Sequence, residues 1–134
     1  MKRYVLDTNM VSFLLKERSP VFQRVANLPM ERLCLSAVTK GEMIFGIRRR
    51  PEATWLKVAV EEFLRRVDVL SWDSSVAEEY GALRAKLELR GTRLADLDLM
   101  IASHAVQANA VLVTNDQSFR FVTGLATEDW TKIY

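Results

Sequence analysis

Short apolar runs alternate along this chain with longer stretches of helical periodicity, and this alternation limits the fold more than any other feature. The predicted strands are Tyr4-Val5-Leu6, Leu33-Cys34-Leu35, Val67-Asp68-Val69-Leu70, Val111-Leu112-Val113-Thr114 and an extended segment from Leu125 to Trp130. Helical patterns separate them, at residues 11–16, 21–28, 37–49, 53–66, 74–91, 96–108 and 118–122. This order predicts an α/β fold, in which helices flank a mostly parallel sheet of four or five strands.

Polar residues before the predicted helices support these boundaries. Ser19 and Ser36 are suitable N-caps, Asp73 and Ser74 can cap the next helix, and Pro20 suits a first helical turn. Within the helices, apolar spacing predicts which side chains face inward. Trp55 and Phe63 are expected in the core or an interface. The residues expected to share an inward face are Val76, Tyr80, Leu83, Leu87, Leu94, Leu97, Ile101 and Ala105.

Length and composition favour one soluble domain over residues 1–134. About half of the residues are apolar (49%) and 27% are charged, which excludes a disordered chain. No apolar run approaches the roughly 18 residues of a membrane span. The amino end has two basic residues, but Asp7 interrupts its apolar stretch too early for a signal peptide. We therefore expect a cytoplasmic protein.

The scarcity of cysteine and histidine excludes several kinds of site. Cys34 is the only cysteine, so an intramolecular disulfide and a thiolate zinc site are both excluded, and a buried core thiol is expected. His104 is the only histidine, and six positions separate it from Asp98, which places the two on opposite helix faces. A structural or exposed histidine is favoured over a catalytic one.

Basic residues are clustered, although the net charge is only +2. The clusters are Arg48-Arg49-Arg50, Arg65-Arg66, and Arg84, Lys86, Arg90 and Arg93. Such surfaces bind phosphate backbones, but they are also ordinary solvated helix faces. They indicate nucleic acid only alongside other evidence.

Four acidic residues, Asp7, Glu42, Asp98 and Asp116, lie where a predicted strand ends or a helix begins. Singly, each has a local explanation: a cap at Asp7, a capping box at Glu42, a first helical turn at Asp98 and a turn at Asp116. Together they belong to one edge of the predicted sheet, where parallel α/β folds bind ligands. Two carboxylates about 5 Å apart repel by roughly 3 kcal/mol at an effective dielectric constant near 20. Oxygen ligands of this kind select hard ions such as Mg²⁺ or Mn²⁺.

These segments resemble the PIN-domain ribonucleases, and among them the VapC-type toxins of type II toxin–antitoxin systems. The resemblance covers nearly the whole chain and implies a PIN-like three-layer domain. The motifs that carry it are Leu6-Asp7-Thr8-Asn9, Thr39-Lys40-Gly41-Glu42-Met43-Ile44-Phe45-Gly46, Asp98-Leu99-Met100-Ile101-Ala102-Ser103-His104-Ala105, and Val113-Thr114-Asn115-Asp116 with Phe119 behind.

The resemblance implies an endoribonuclease that depends on Mg²⁺ or Mn²⁺, with Asp7, Glu42, Asp98 and Asp116 as its catalytic and metal-binding acids. Of these, the fourth acid is the least regular in the family. Thr8, Asn9 and Thr114 match supporting polar positions of the family. Asp96, a further acid before Asp98, is expected to cap the helix and face away. The resemblance also implies a homodimer, a cognate VapB-type antitoxin that blocks the site, and structured RNA such as transfer RNA as substrate.

Two other classes of function stay open at this point. A receiver-like domain would accept a phosphoryl group on Asp7, but it would need a second acid near Asp7 and a lysine after a late strand, and Lys132 lies at the tail. A binding module would grip RNA with its basic face while the acids only cap helices. The number of metal ions, one or two, also stays open.

Overall fold

Five parallel strands form the centre of the molecule, in a computed structural model that describes residues 2–15 and 19–132. The strands are β1 (Tyr4–Leu6), β2 (Leu33–Ser36), β3 (Asp68–Leu70), β4 (Val111–Val113) and β5 (Thr127–Glu128), in the spatial order β3-β2-β1-β4-β5. Every adjacent pair is parallel. The α/β prediction is therefore confirmed, with five strands in the described residues.

Six α-helices and two 3₁₀ helices connect the described strands. The α-helices are α1 (Thr8–Leu14), α2 (Pro20–Ala26), α3 (Ala37–Arg49), α4 (Thr54–Arg66), α5 (Ser74–Leu89) and α6 (Asp96–Gln107), and the 3₁₀ helices are η1 (Met30–Arg32) and η2 (Gln117–Phe121). No helix of the described residues has both the length and the apolar character needed to cross a membrane.

The predicted caps are confirmed where a side chain can reach the first turn. The Ser19 hydroxyl accepts a hydrogen bond from the Phe22 amide, Ser36 from Val38 and Asp73 from Val76. The first helix begins at Thr8, three residues before the predicted start, because the Asp7 carbonyl accepts bonds from the amides of Met10 and Val11. The predicted end of that helix, at Lys16, lies outside the described residues.

Alternating strand residues divide the core into two clusters, one on each face of the sheet. The cluster on one face packs against α1, α2 and α4, and its strand residues are Tyr4, Leu6, Leu33, Leu35, Val111 and Val113. Val5, Cys34 and Leu112 pack with α5 and α6 on the other. Because successive residues of a strand point to opposite faces, each face of the sheet presents apolar side chains. A layer of helices covers each face. The expected burial of Cys34 is confirmed.

One prediction of an inward-facing residue is wrong, because Leu97 is 45% exposed. Trp55 is 64% exposed and lies outside the core, so for this residue only the interface stays a prediction, and Phe63 is half-buried at the edge of the core. Trp55 and Leu97 lie in the first turns of α4 and α6. Ile101 and Ala105, one and two turns further along α6, are buried as predicted. Helical periodicity identified the helices, but it could not identify which first-turn residues are exposed.

Candidate active site

The carboxyl ends of neighbouring strands β1 and β4 bring Asp7 and Asp116 to the same edge of the sheet. Leu6 and Val113 are paired in register, and the Asp7 amide donates to the Val113 carbonyl at 3.0 Å. Asp116 follows β4 by three residues and begins η2. The two distant acids thus reach one edge because their strands are hydrogen-bonded to each other. The prediction that strand ends gather acidic residues is confirmed for this pair.

Asp7 is the most enclosed of the four acids, with a relative exposure of 4%. The Thr114 hydroxyl donates to its Oδ2 at 2.7 Å. Burial raises the pKa of Asp7, and the charges of Asp116 and Glu42 raise it further, while hydrogen bonds from Thr114 and the Thr8 amide oppose this rise. The carboxylate makes no capping bond to α1, so capping does not explain its burial.

Asp98 belongs to the same electrostatic group. It lies in the first turn of α6 and is half-buried. Burial raises the pKa of Asp98 above that of an ordinary aspartate, and the charges of Asp7, Asp116 and Glu42 add to the rise. Each of the other three acids therefore lies near enough to Asp98 for its charge to act on that carboxyl. We call these four residues the acid cluster.

Glu42 is held by a hydroxyl from another helix. The Thr8 hydroxyl, on the first residue of α1, donates to Glu42 Oε1 at 2.8 Å. Glu42 is the sixth residue of α3, whose N-cap is Ser36, so the capping-box explanation for Glu42 is wrong. The physical reason is that α3 begins three residues earlier than a cap at Thr39 would require. Glu42 therefore faces the site from a helix interior.

Asp116 has the local role that its sequence context indicated. Its Oδ1 accepts hydrogen bonds from the Ser118 amide at 2.9 Å and the Ser118 hydroxyl at 2.8 Å. The Asp116 amide donates to the Thr114 hydroxyl at 3.0 Å. One threonine hydroxyl therefore connects Asp7 with Asp116. Thr114 and Asp7 are 107 positions apart, and sequence spacing did not reveal this contact. Ser118 had no place in the predicted site.

Two other predicted residues lie outside the acid cluster. Asn9 is exposed on α1, and no hydrogen bond of its side chain is seen among the described residues. Asp96 is exposed as the first residue of α6, where the N-cap is Ala95 and no side chain caps the helix. The predicted capping role of Asp96 is therefore wrong, since a residue inside the first turn no longer has the extended backbone of a cap.

His104 is structural, as predicted. It is buried, and its two ring nitrogens lie 2.7 Å from Ser36 Oγ and 2.9 Å from the Ser71 carbonyl oxygen. A carbonyl can only accept, so Nε2 carries the proton and Nδ1 accepts from Ser36. The bond ties α6, which bears Asp98, to the start of α3, which bears Glu42. No local pattern indicates this pairing, because 68 positions separate the two residues.

The donor set suits a hard divalent cation, although the side chains do not converge on one point. No group of three or more histidine, cysteine, aspartate or glutamate side chains among residues 2–15 and 19–132 is placed to hold an ion. Mg²⁺ does not require such a group, since it takes one or two carboxylates and keeps several waters. The mutual repulsion within the acid cluster is the observation that favours a cation there.

Most members of the basic clusters are exposed, and several are paired within their own helix. A guanidinium nitrogen of Arg65 and one of Arg66 each lie 2.6 Å from a carboxylate oxygen of Glu62. Arg84 Nε lies 3.0 Å from Glu88 Oε2. Exposed pairs of this kind contribute little to stability. Arg48, Arg49 and Arg50 are exposed at the end of α3. Helices α3, α4 and α5 thus present basic groups to solvent.

Comparisons with known proteins agree with the geometry. The profile of the family described as PIN domain matches residues 4–125. A tRNA(fMet)-specific endonuclease VapC from Shigella flexneri is 35% identical over 132 residues, covering 98% of this chain and all of the relative. Ribonuclease VapC1 from Haemophilus influenzae strain R2866 is 36% identical over 132 residues, covering 96% of this chain and 98% of the relative.

A solved structure of DNA-bound VapBC from Salmonella typhimurium contains a chain with the same fold. It superposes with a TM-score of 0.89 at 34% identity, covering 97% of this chain and 99% of that chain. The family match spans most of the sequence, and these relatives align over nearly their full length. The chain belongs to the PIN domain family and, within it, to the VapC ribonucleases.

Proposed function

We propose that this protein is a divalent-metal-dependent endoribonuclease toxin whose active site is the acid cluster. One observation carries the proposal: the Thr114 hydroxyl joins the buried carboxylate of Asp7 to the Asp116 backbone, while Thr8, the residue next to Asp7, holds the carboxylate of Glu42. Burial raises the pKa of Asp98, and the charges of Asp7, Asp116 and Glu42 add to the rise. A folded protein retains such repulsion where a ligand relieves it. A cation together with a phosphodiester fits that requirement.

In this proposal Asp7, Glu42 and Asp98 hold the ion, and Asp116 orients the attacking water or completes a second ion position. Bound Mg²⁺ or Mn²⁺ supplies positive charge to the phosphate and makes water easier to deprotonate. Thr114 and Thr8 fix the carboxylates of Asp7 and Glu42 through the hydroxyl bonds described above. Asn9 is assigned a supporting role from its motif alone.

The substrate is structured RNA, and transfer RNA is the first candidate. The relative from Shigella flexneri carries the name tRNA(fMet)-specific endonuclease. The exposed arginines of α3 and α4 supply charge that a folded RNA backbone can contact. A non-catalytic RNA-binding module would share those arginines, but it gives no reason for the acid cluster.

The decisive experiment compares Asp7→Asn with the wild type in cleavage of transfer RNA in the presence of Mg²⁺ or Mn²⁺. The wild type should cleave, chelation should stop it, and Asp7→Asn should be inactive while still binding the RNA. Glu31→Gln is the matched control, because Glu31 is exposed beside the amino end of β2, away from the acid cluster. Undiminished cleavage by Asp7→Asn would remove the acid cluster from the mechanism, and RNA binding without any cleavage would favour the binding module.

Assembly with a VapB-type antitoxin and with a second copy of the chain is part of the same proposal. The similar structure from Salmonella typhimurium is a VapBC assembly. Exposed apolar side chains on this chain, Phe45 on α3 and Trp55 and Val58 on α4, are suitable for partner contacts. Production of the protein in cells should arrest growth, and co-production of its cognate antitoxin should restore growth. The molar mass of the purified protein should correspond to a dimer.

The receiver-like alternative has no support in the structure. Membership of the PIN domain family argues against it. Absence of label on Asp7 after treatment with a small phosphoryl donor is the expected result.

A further inference from the structure

The hydroxyl of Thr39 is a buried polar group without a partner. The residue lies in α3 with a relative exposure of 0%, and its Oγ1 makes no hydrogen bond within residues 2–15 and 19–132. In that part of the chain it is the only buried side-chain oxygen or nitrogen left unpaired. Proteins leave few such atoms unpaired, because burial removes their water and costs free energy. The hydroxyl is therefore available to a ligand.

A threonine hydroxyl in a helix usually donates to the carbonyl three or four residues earlier. Ser103 shows this arrangement in α6, where its buried hydroxyl donates to the Leu99 carbonyl at 2.7 Å. The Thr39 hydroxyl makes no such bond to the carbonyl of Leu35 or of Ser36. The local backbone thus does not satisfy it.

The fold places Thr39 next to the carboxyl edge of the sheet. Strands β1 and β2 are parallel neighbours, with Val5 opposite Cys34. Two residues further along, Asp7 and Ser36 therefore lie side by side at that edge. Helix α3 starts directly after Ser36, and Thr39 is its third residue. Thr39 is consequently within one helical turn of the strand end that neighbours Asp7.

Thr39 also shares a face of α3 with Glu42. Three residues separate them, which corresponds to about 60° around the helix and about 4.5 Å along its axis. Side chains in a helix lean toward its amino end, so the Glu42 carboxylate reaches back over the turn that contains Thr39. On the other side of Thr39, Met43 packs into the core with Met10. Thr39 therefore lies between the core and the acid cluster.

Two other threonine hydroxyls at this site already hold carboxylates. Thr114 donates to Asp7, and Thr8 donates to Glu42. Among the residues that the structure describes, the acids are not gathered around one point. A cation bound there would keep several of its waters, as Mg²⁺ does, and those waters need hydrogen-bond partners. A hydroxyl can accept from such a water or donate to it.

We propose that the Thr39 hydroxyl accepts a hydrogen bond from a water that hydrates the cation at the acid cluster, and so acts as a positioning residue for that cation. The inference rests on the proposed function for the presence of the cation. Two consequences of opposite sign follow. Removal of the hydroxyl should stabilise the metal-free protein, because an unpaired polar group disappears, and it should weaken metal binding. A hydroxyl with a purely structural role would produce neither effect.

The test compares Thr39→Val, which replaces the hydroxyl with a methyl of similar size, with Thr39→Ser, which keeps the hydroxyl. Mn²⁺ affinity is measured by electron paramagnetic resonance, and the stability of the metal-free protein by its urea midpoint. Thr39→Val should bind Mn²⁺ about tenfold more weakly than the wild type, as loss of an outer-shell partner does, and should have a higher urea midpoint. Thr39→Ser should bind Mn²⁺ as the wild type does.

Ser103→Ala is the matched control, because it removes a buried helical hydroxyl that has a partner. This variant should have a lower urea midpoint and unchanged Mn²⁺ affinity. Unchanged Mn²⁺ affinity in Thr39→Val, or a lower urea midpoint of its metal-free form, would overturn the inference.

The proposed function can fail separately from the role of Thr39. A wild type that binds no Mn²⁺, or an Asp7→Asn variant that binds it equally well, would remove the metal site and the inference with it. Metal-dependent cleavage of RNA by the wild type, together with unchanged Mn²⁺ affinity in Thr39→Val, would retain the proposed function and remove only Thr39.

Discussion

The hydroxyl of Thr114 is the contact whose removal tests the electrostatics of the site most directly. It donates to Asp7 Oδ2 and accepts from the Asp116 amide, and the residue is buried. Thr114→Val replaces the hydroxyl with a methyl group of similar size, so the change opens no cavity. Thr114→Ser is the matched control, because it keeps the hydroxyl and loses only the methyl.

At pH 8 without metal, we expect Thr114→Val to lower the free energy of unfolding by about 2–4 kcal/mol. A hydrogen bond to a charged group contributes about 1.5–3 kcal/mol, and the orphaned Asp116 amide adds a smaller loss because it is half-buried. The bond favours the ionised form of Asp7, so its removal raises the pKa of Asp7 further. The deficit should therefore be small at low pH, where Asp7 is neutral in both proteins, and should grow as pH rises through the pKa of Asp7.

Urea unfolding of the wild type, Thr114→Val and Thr114→Ser across the acid and neutral range measures this deficit. The growth with pH should disappear in the Asp7→Asn background, where no carboxylate remains to accept the bond. Equal stability of Thr114→Val and wild type at pH 8, or a deficit that is the same at every pH, would refute the reasoning.

Three further predictions concern the acid cluster, the buried histidine and the surface of α4. Burial raises the pKa values of Asp7 and Asp98, so the metal-free protein should lose stability as pH rises above the pKa of an ordinary aspartate. Urea unfolding measures this loss, and saturating Mg²⁺ should reduce it. His104→Ala should destabilise by about 2–4 kcal/mol in the same assay, since it empties a buried site and orphans Ser36 and the Ser71 carbonyl; no change would show that these bonds contribute nothing. On α4, Val60→Ala at a buried position should cost about 2 kcal/mol, whereas Val58→Ala, with Val58 66% exposed, should change thermal stability by less than about 0.5 kcal/mol; equal effects would contradict the assigned packing.

Much of the site could be predicted because acidic residues at strand ends are a local signal. Asp7 and Asp116 follow apolar runs, and parallel strands carry their ends to one edge of the sheet. Predicting Asp98 as a site residue also required the resemblance to the PIN-domain ribonucleases, because the helix dipole alone explains an acid in a first helical turn. Glu42 was placed at a helix start, and only the structure showed it facing the site from the interior of α3.

The sequence by itself determined the order of helices and strands, the caps at Ser19, Ser36 and Asp73, and the family. These features depend on hydrogen bonds and apolar spacing between residues a few positions apart. Only the tertiary structure decided that Thr114 connects Asp7 with Asp116 and that His104 pairs with Ser36. Such contacts join residues that packing brings together, and the sequence near each residue does not indicate which distant residue will be its partner.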